Sequence, residues 1–150
     1  MKFMSKANKF RHLPRGEKVL FLLILATLFL VRAGLSVLPF LTLQKIILKL
    51  ASFKPFRQQN DLLTTGTIIR IVRQASRFVP FATCLTQALT GLLFIQLNGE
   101  EADLKFGVSI DLNQQFAAHA WLEREGKIIL GKVPEHRKYK TLEPPKYAVL

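Results

Sequence analysis

The chain has 150 residues, of which 49% are hydrophobic. This composition excludes disorder for most of the chain, and the length allows one domain core but not two. Lys and Arg total 22 against 10 Asp and Glu, giving a formal net charge of +12 at pH 7, which favours a polyanion, a membrane surface or an acidic partner. A single cysteine excludes an internal disulfide and a thiolate-rich metal site.

The N-terminal part combines basic charge with an apolar run. Residues 1–18 form a basic segment, and the run from Val19 to Val31 follows it and stops at Arg32. The run is shorter than the roughly 20 apolar residues that a membrane-spanning helix needs, and the residues after it make a poor signal-peptide cleavage site. We therefore expect a helix that is buried against the domain or lies in a membrane interface, with a true span as the alternative.

The next segments read as helices separated by a linker. Pro39 breaks the first helix, and helical spacing resumes from Leu41 to Leu50. Residues 51–62 read as a linker, and the stretch from Thr65 to Phe78 predicts an amphipathic helix. The predicted organisation is a basic N-terminal segment, a helical region with its linker, and a C-terminal core, at 1–18, 19–62 and 63–150.

The second half changes from helical to strand periodicity. Thr83 can cap a helix that runs to Leu97, and Asn98-Gly99 can end it in a left-handed turn. The hydrophobic period then falls to two, which predicts three antiparallel strands, at 104–110, 116–124 and 127–132. The tail from Val133 is expected to wrap the surface. The predicted fold class is α+β, with N-terminal helices and a further helix packed on a small antiparallel sheet.

Two residues in this half suggest nucleophilic catalysis. Cys84 falls in the first turn of its helix, where free amides and the helix dipole favour a thiolate and could hold an oxyanion. The alternative is that Cys84 is only a small buried apolar residue, as most free cysteines are. His119 lies in the middle of the second strand, and alternation places it on one face with Ala117, Trp121 and Glu123. We read Cys84 as the nucleophile and His119 as its base.

Three motifs then carry a family resemblance. The segments 80–89 (PFATCLTQAL), 106–108 (FGV) and 119–123 (HAWLE) resemble the B2 proteins of lasso peptide biosynthesis, which belong to the transglutaminase-like superfamily. The resemblance covers about residues 65–132, and Leu38–Phe40 fits the family's N-terminal part. It implies a papain-like core in which a helix starting at the cysteine packs on the sheet that supplies the histidine. It also implies a cysteine peptidase that removes the leader from a precursor peptide.

The resemblance further implies the partners. A small leader-recognition protein (B1) would present the precursor, and an ATP-dependent cyclase would close the freed core into a lasso. Neither a cofactor nor a metal is expected, and the basic charge has no nucleic-acid-binding motif beside it. The expected location is the cytoplasm, and the inner face of the membrane is a possible site of peripheral attachment. Gln87 is a candidate for assisting the oxyanion, and Trp121 is either a core residue or a shield beside the catalytic pair.

A catalytic triad would need a third member, and the sequence has no carboxylate at the position expected for it. With Glu125-Gly126 as a two-residue turn, Arg124 pairs with Lys127, Trp121 with Leu130, and His119 with Lys132. The family expects an Asp opposite the histidine, and a lysine cannot orient an imidazolium. Three hypotheses stay open: Glu135 folds back to His119, a Cys–His dyad works alone, or the protein is a weakened homologue. Asp111 is a poorer candidate, and Lys132→Asp is expected to raise turnover.

Other functions also remain open at this point. The chain could be a non-catalytic homologue that acts as a membrane-associated scaffold of the maturation complex, anchored by its basic head and apolar run. It could instead be a transglutaminase-type acyltransferase, which shares the thioester and differs in the acceptor. His12 and His136 lack a ligand partner at helical spacing and are expected to be surface residues.

Overall fold

The computed structural model describes residues 14–52, 64–110, 115–134 and 136–142. Over these ranges the chain is a helical half followed by an antiparallel sheet, which confirms the α+β class. The helices are α1 (Arg15–Val37), α2 (Phe40–Ala51), α3 (Thr65–Ala75) and α4 (Cys84–Leu97), and the strands are β1 (Asp103–Ile110), β2 (Phe116–Arg124), β3 (Lys127–Leu130) and β4 (Lys140–Leu142).

The helix boundaries follow the local signals in the sequence. Pro39 separates α1 from α2, as predicted, because its φ of −57° and ψ of 141° are extended and its ring cannot continue α1. The predicted linker begins within the last residues of α2, and its remainder, from residue 53, lies outside the described residues. The predicted helix 65–78 forms in two parts, α3 and then a 3₁₀ turn at Ser76–Phe78.

Two threonines define the starts of α3 and α4. The Thr64 hydroxyl accepts from the amide of Thr67 at 3.2 Å, and the Thr83 hydroxyl accepts from the amide of Thr86 at 3.2 Å. Both satisfy an amide that the helix itself leaves unpaired. The predicted end of α4 is also confirmed, since Gly99 has a φ of 82°. The sequence therefore fixes Cys84 as the first residue of α4.

The sheet has the order β3-β2-β1-β4, with every neighbouring pair antiparallel. In the central pair, Gly107 lies opposite His119. The tail does more than wrap the surface, because its residues Lys140–Leu142 add a fourth strand beside β1. Residues 143–150, and residues 111–114 at the predicted turn, lie outside the described residues.

Strand β3 departs from the predicted register. The turn forms as expected, with positive φ at Glu125 and Gly126, and Arg124 pairs with Lys127. The register then shifts by one residue, so that Leu130 pairs with Leu122 and not with Trp121. The shift leaves Ile129 as an extra residue in β3, which is a β-bulge.

The main core lies between the helices and one face of the sheet. Buried residues of α1, α3, α4, β2 and β3 form one cluster, and a second cluster joins α1, α2 and α4. Helix α4 approaches the sheet closely at Gly91, where a Cβ would lie 3.0 Å from Leu130 and 3.1 Å from Leu122. Because α1 packs in the same cluster as β2, the helical region helps to hold the sheet; the division at residues 18 and 62 stays a prediction.

Candidate active site

Cys84 lies where the sequence predicts a reactive thiol. It is a free, half-buried cysteine at the first position of α4, and it packs against the edge of the main core. Thr83 satisfies two later amides of the first turn, since the Thr86 N–H donates to its hydroxyl and the Gln87 N–H donates to its carbonyl. Unpaired amides at a helix start favour negative charge nearby.

The segment before Cys84 has a feature that the motifs do not reveal. Phe81 has a φ of 57°, in the left-handed region, and its side chain is 83% exposed. Left-handed φ is uncommon for a residue with a bulky side chain, and such residues cluster at functional sites. The turn thus presents an aromatic side chain to solvent three residues before the candidate nucleophile.

His119 projects from the sheet face that the alternation predicts. Ala120 and Leu122 belong to the main core, whereas His119 and Trp121 occupy the opposite face of β2. The His119 and Trp121 rings are stacked, with centroids 6.0 Å apart and an angle of 21° between their planes. Trp121 is 1% exposed, so it is at once a buried residue and a shield for one side of His119.

The ring of His119 is oriented by the main chain. Its Nε2 lies 2.6 Å from the carbonyl oxygen of Gly131. A carbonyl oxygen can only accept a hydrogen bond, so Nε2 carries the proton and donates it. In the neutral ring the lone pair is then on Nδ1, which is the nitrogen available to act as a base. The Gly131 carbonyl thus does for His119 what a triad carboxylate does in orienting the ring.

This geometry corrects the expected position of the third member. Lys132 is not opposite His119, because the bulge shifts the register and β3 ends at Leu130 rather than at residue 132. Lys132 is exposed, and the main chain one residue earlier makes the contact instead. Glu135, the other candidate, lies outside the described residues, and so does Asp111.

The fold allows little but glycine at position 131. Its φ is 87°, and a Cβ there would lie 2.9 Å from the Ala120 carbonyl oxygen and 2.9 Å from Trp121 Cβ. The preceding bulge is held from outside the sheet, because the Arg73 guanidinium donates to the Ile129 carbonyl at 3.0 Å. Helix α3 and the left-handed glycine together aim the Gly131 carbonyl at His119.

The tail covers the Trp121 side of the site with two rings. His136 meets the Trp121 ring edge-on at 4.5 Å, and the Tyr139 ring lies 5.4 Å from that of His119. The expectation that His136 is a surface residue is therefore wrong: it is half-buried, and its Nδ1 is buried without a hydrogen-bond partner. His12 lies outside the described residues.

The packing of Trp121 depends on a small neighbour. A Cβ at Gly107 would lie 2.8 Å from two Trp121 ring atoms and 2.9 Å from Tyr139 Cβ. The Trp121 indole N–H donates to Glu123 Oε1 at 2.7 Å, which satisfies the one polar group of the ring. The FGV motif is explained by this contact, since its glycine makes room for the tryptophan of the HAWLE motif.

Cys84 and His119 are not joined by a hydrogen bond in this structure, in which both are described. The thiol belongs to the helical layer, and the imidazole projects from the face of β2 that points away from the main core. The two motifs are thus built into adjoining elements, α4 and β2, and a catalytic contact between their side chains stays a prediction. Gln87 is half-buried one turn into α4, and its part in holding an oxyanion stays a prediction.

Comparison with known proteins identifies the family. A family model described as Transglutaminase-like superfamily matches residues 28–143. The chain belongs to the transglutaminase-like superfamily. The match extends well beyond the segments that carry the motifs, since it begins inside α1 and ends just after β4. No curated protein and no solved structure gave a match. Members of the superfamily are generally cysteine-dependent enzymes, including peptidases and acyltransferases.

The remaining site expectations concern metals and the membrane. Among residues 14–52, 64–110, 115–134 and 136–142, no group of three His, Cys, Asp or Glu side chains could hold a metal ion. Helix α1 is long and apolar enough to cross a membrane by length and composition alone, with 28% of its most apolar window buried. This helix is weak evidence for a span.

Proposed function

We propose that this transglutaminase-like protein is a cysteine peptidase that removes the leader peptide from a lasso peptide precursor. The observation that carries the catalytic part is the hydrogen bond from His119 Nε2 to the Gly131 carbonyl, because it leaves Nδ1 unprotonated in the neutral ring. A histidine held in this way can serve Cys84, which starts α4. The motifs around both residues support the lasso B2 family within the superfamily.

The proposed reaction proceeds through a thioester. Cys84 Sγ attacks the carbonyl carbon at the leader–core junction, and its proton passes to His119 Nδ1. The tetrahedral intermediate collapses as the C–N bond breaks, and Nδ1 returns the proton to the departing amine. A water molecule then gives a proton to Nδ1 and attacks the thioester carbonyl. The C–S bond breaks, the leader leaves as a carboxylic acid, and Nδ1 returns the proton to Cys84 Sγ.

The oxyanion of the intermediate needs donors at the start of α4. The amides of Thr86 and Gln87 are already bonded to Thr83. The earlier amides of Cys84 and Leu85 have no partner among the described residues, and we assign the oxyanion to these two. The Gln87 side chain then has at most a supporting part. Phe81, exposed in the turn before Cys84, is suited to contact an apolar residue of the substrate.

The proposal includes a closing step. Sγ and Nδ1 must meet for the proton transfer, and catalytic hydrogen bonds commonly tighten only when substrate is bound. We assign this closing to the binding of the precursor together with a separate B1 protein that recognises its leader. The net charge of +12 suits an acidic leader or partner. An ATP-dependent cyclase would then take the freed core.

The location follows from the chemistry of the thiol. A single reactive cysteine is kept reduced in the cytoplasm, where disulfides and oxidised thiols are rare. We therefore place the reaction in the cytoplasm, where the precursor is made.

The deciding experiment is mass spectrometry of a precursor peptide incubated with the protein and its B1 partner. We expect leader-sized and core-sized fragments with the wild type, and intact precursor with Cys84→Ala and with His119→Ala. Cys84→Ser is the matched control, because it keeps the size and the cap geometry but removes the thiolate. Equal cleavage by the wild type and Cys84→Ala would refute the peptidase.

The acyltransferase is the second candidate, because the superfamily match covers it equally well. The same incubation with an added primary amine separates the two. Hydrolysis leaves a free carboxylic acid at the end of the leader, whereas acyl transfer leaves an amide with the mass of the added amine. A leader that carries only the amide would favour the acyltransferase.

A further inference from the structure

Helix α1 has two apolar faces, and the described residues, 14–52, 64–110, 115–134 and 136–142, bury only one of them. The covered face packs in the core through Leu20, Phe21, Ile24, Leu28 and Val31. The residues of the other face recur every three or four positions along the whole helix and are all exposed: Val19, Leu22, Leu23, Ala26, Phe29, Leu30, Ala33 and Val37. These eight side chains are all apolar, and the exposed Ser36 lies next to them at the C-terminal end of the helix.

The exposed stripe is large for a protein surface. From Val19 to Val37 it runs about 27 Å along the helix, at about 1.5 Å per residue. Its exposure is substantial, with Leu30 at 72% and Val37 at 81%. Contiguous exposed apolar patches of more than a few hundred Å² mark interaction surfaces in most proteins. The stripe thus has the character of an interaction surface.

The charges around the stripe are positive. In the sequence, four Lys and Arg precede position 14, and Arg15 and Lys18 lie in the first turn of α1. The one acidic residue of α1, Glu17, forms an ion pair with Arg70 at 2.9 Å. Helix α2 has no acidic residue, and it exposes Lys45 and Lys49 beside three apolar side chains, Leu41, Ile46 and Leu50.

Positive charge beside an apolar face is the pattern of a helix that lies on anionic lipid. A protein partner of ordinary composition would meet the stripe with some polar groups, and from Val19 to Ala33 the exposed residues of the stripe have no polar side chain to pair with them. We propose that α1 binds the surface of an anionic bilayer, with its axis in the membrane plane and its eight exposed side chains among the acyl chains. This proposal does not depend on the peptidase activity.

The buried residues of α1 favour a helix that lies on the membrane over one that crosses it. A spanning α1 would have to withdraw Leu20, Ile24 and Leu28 from the main core, where Ile24 and Leu28 are 0% exposed. In the membrane plane, the covered face keeps its contacts with α3 and α4 while the other face enters the lipid. The folded domain then stays at the surface, with the active site in the aqueous phase.

The test is sedimentation of the full chain with vesicles of phosphatidylcholine, alone or mixed with phosphatidylglycerol. Leu30→Glu is the test variant, and Ile110→Glu is its matched control, because Leu30 is 72% exposed on α1 and Ile110 is 73% exposed on β1. We expect binding to the anionic vesicles, on the order of tenfold weaker binding to neutral ones, and a further loss on the order of tenfold with Leu30→Glu alone. Circular dichroism confirms that both variants remain folded.

Several results would overturn the proposal. The wild type could stay in the supernatant with both kinds of vesicle, or Leu30→Glu could bind as well as Ile110→Glu does. A wild-type dimer that Leu30→Glu converts to a monomer, without vesicle binding, would assign the stripe to a second copy of the chain. Bound protein that resists extraction at alkaline pH would indicate a span, since an in-plane helix is released. Release of the bound wild type at alkaline pH, together with weaker vesicle binding of Leu30→Glu, would support the in-plane helix.

Discussion

Replacing Gly131 by alanine tests the link between the fold of β3 and the orientation of His119. At a φ of 87°, an L-residue costs about 1–2 kcal/mol. The added Cβ would also lie 2.9 Å from the Ala120 carbonyl oxygen and from Trp121 Cβ, and such overpacking costs about 1–3 kcal/mol. Gly131→Ala is therefore expected to lower the free energy of unfolding by about 2–5 kcal/mol.

Gly126→Ala is the matched control for this change. Gly126 also has a positive φ, of 72°, but a Cβ there would meet nothing within 4 Å. Gly126→Ala is therefore expected to lower the free energy of unfolding by about 1–2 kcal/mol, the cost of a positive φ for an L-residue. The difference between the two variants in denaturant unfolding therefore isolates the close approach of Gly131 to β2.

The same pair of variants tests the catalytic reasoning. Relief of the clash moves the Gly131 peptide and lengthens the bond to His119 Nε2, so turnover of the precursor should fall between about tenfold and a hundredfold. Gly126→Ala should keep the wild-type rate. Nitrogen NMR of the histidine rings should show Nε2 protonated in neutral wild-type His119 and a mixture of tautomers in Gly131→Ala. Equal stability of the two variants, or an unchanged tautomer, would refute the assignment of Gly131 as the residue that positions His119.

Other substitutions test the remaining parts of the site. Gly107→Ala should destabilise the protein by about 1–3 kcal/mol in denaturant unfolding, because its Cβ would lie 2.8 Å from the Trp121 ring; an unchanged midpoint would contradict this packing. Lys132→Asp should change precursor turnover less than twofold, since the bulge moves this position away from His119. A clear gain in turnover would instead support the register predicted from the sequence, in which Lys132 faces His119. Thr83→Ala should lower stability by about 1 kcal/mol, with Thr64→Ala on α3 as a comparison of similar size. Phe81→Ala should raise KM for the precursor and leave kcat nearly unchanged, and a fall in kcat alone would exclude a substrate contact.

The parts of the site that were predictable depend on local signals. The start of α4 at Cys84 follows from the Thr83 cap, and the faces of β2 follow from strict alternation around His119. The turn at Glu125-Gly126 follows from Gly126, which adopts positive φ without strain, between two segments of strand periodicity. In each of these cases a few neighbouring residues decide the conformation, so the sequence alone is enough.

The unpredicted parts depend on distant contacts. The extra residue in β3 leaves no trace in its pattern, because Ile128, Ile129 and Leu130 are all apolar and fit either register. What holds the bulge is Arg73, on a helix more than 50 residues earlier. Strand β4 is three exposed residues without periodicity, and β1 alone makes it a strand. Gly131 was the one local signal, since a glycine at the end of a strand commonly marks a change of direction.

The position of Trp121 makes the site observable without a label. It is the one tryptophan of the chain, it is buried, and it packs against the rings of both His119 and His136. Intrinsic fluorescence excited at the red edge of absorption therefore comes from a single residue in contact with the proposed base. Displacement of His136 and Tyr139 from their ring contacts would expose the indole to water and shift its emission to longer wavelength. Any change around Trp121 when precursor binds can thus be timed in the unmodified protein by stopped-flow mixing.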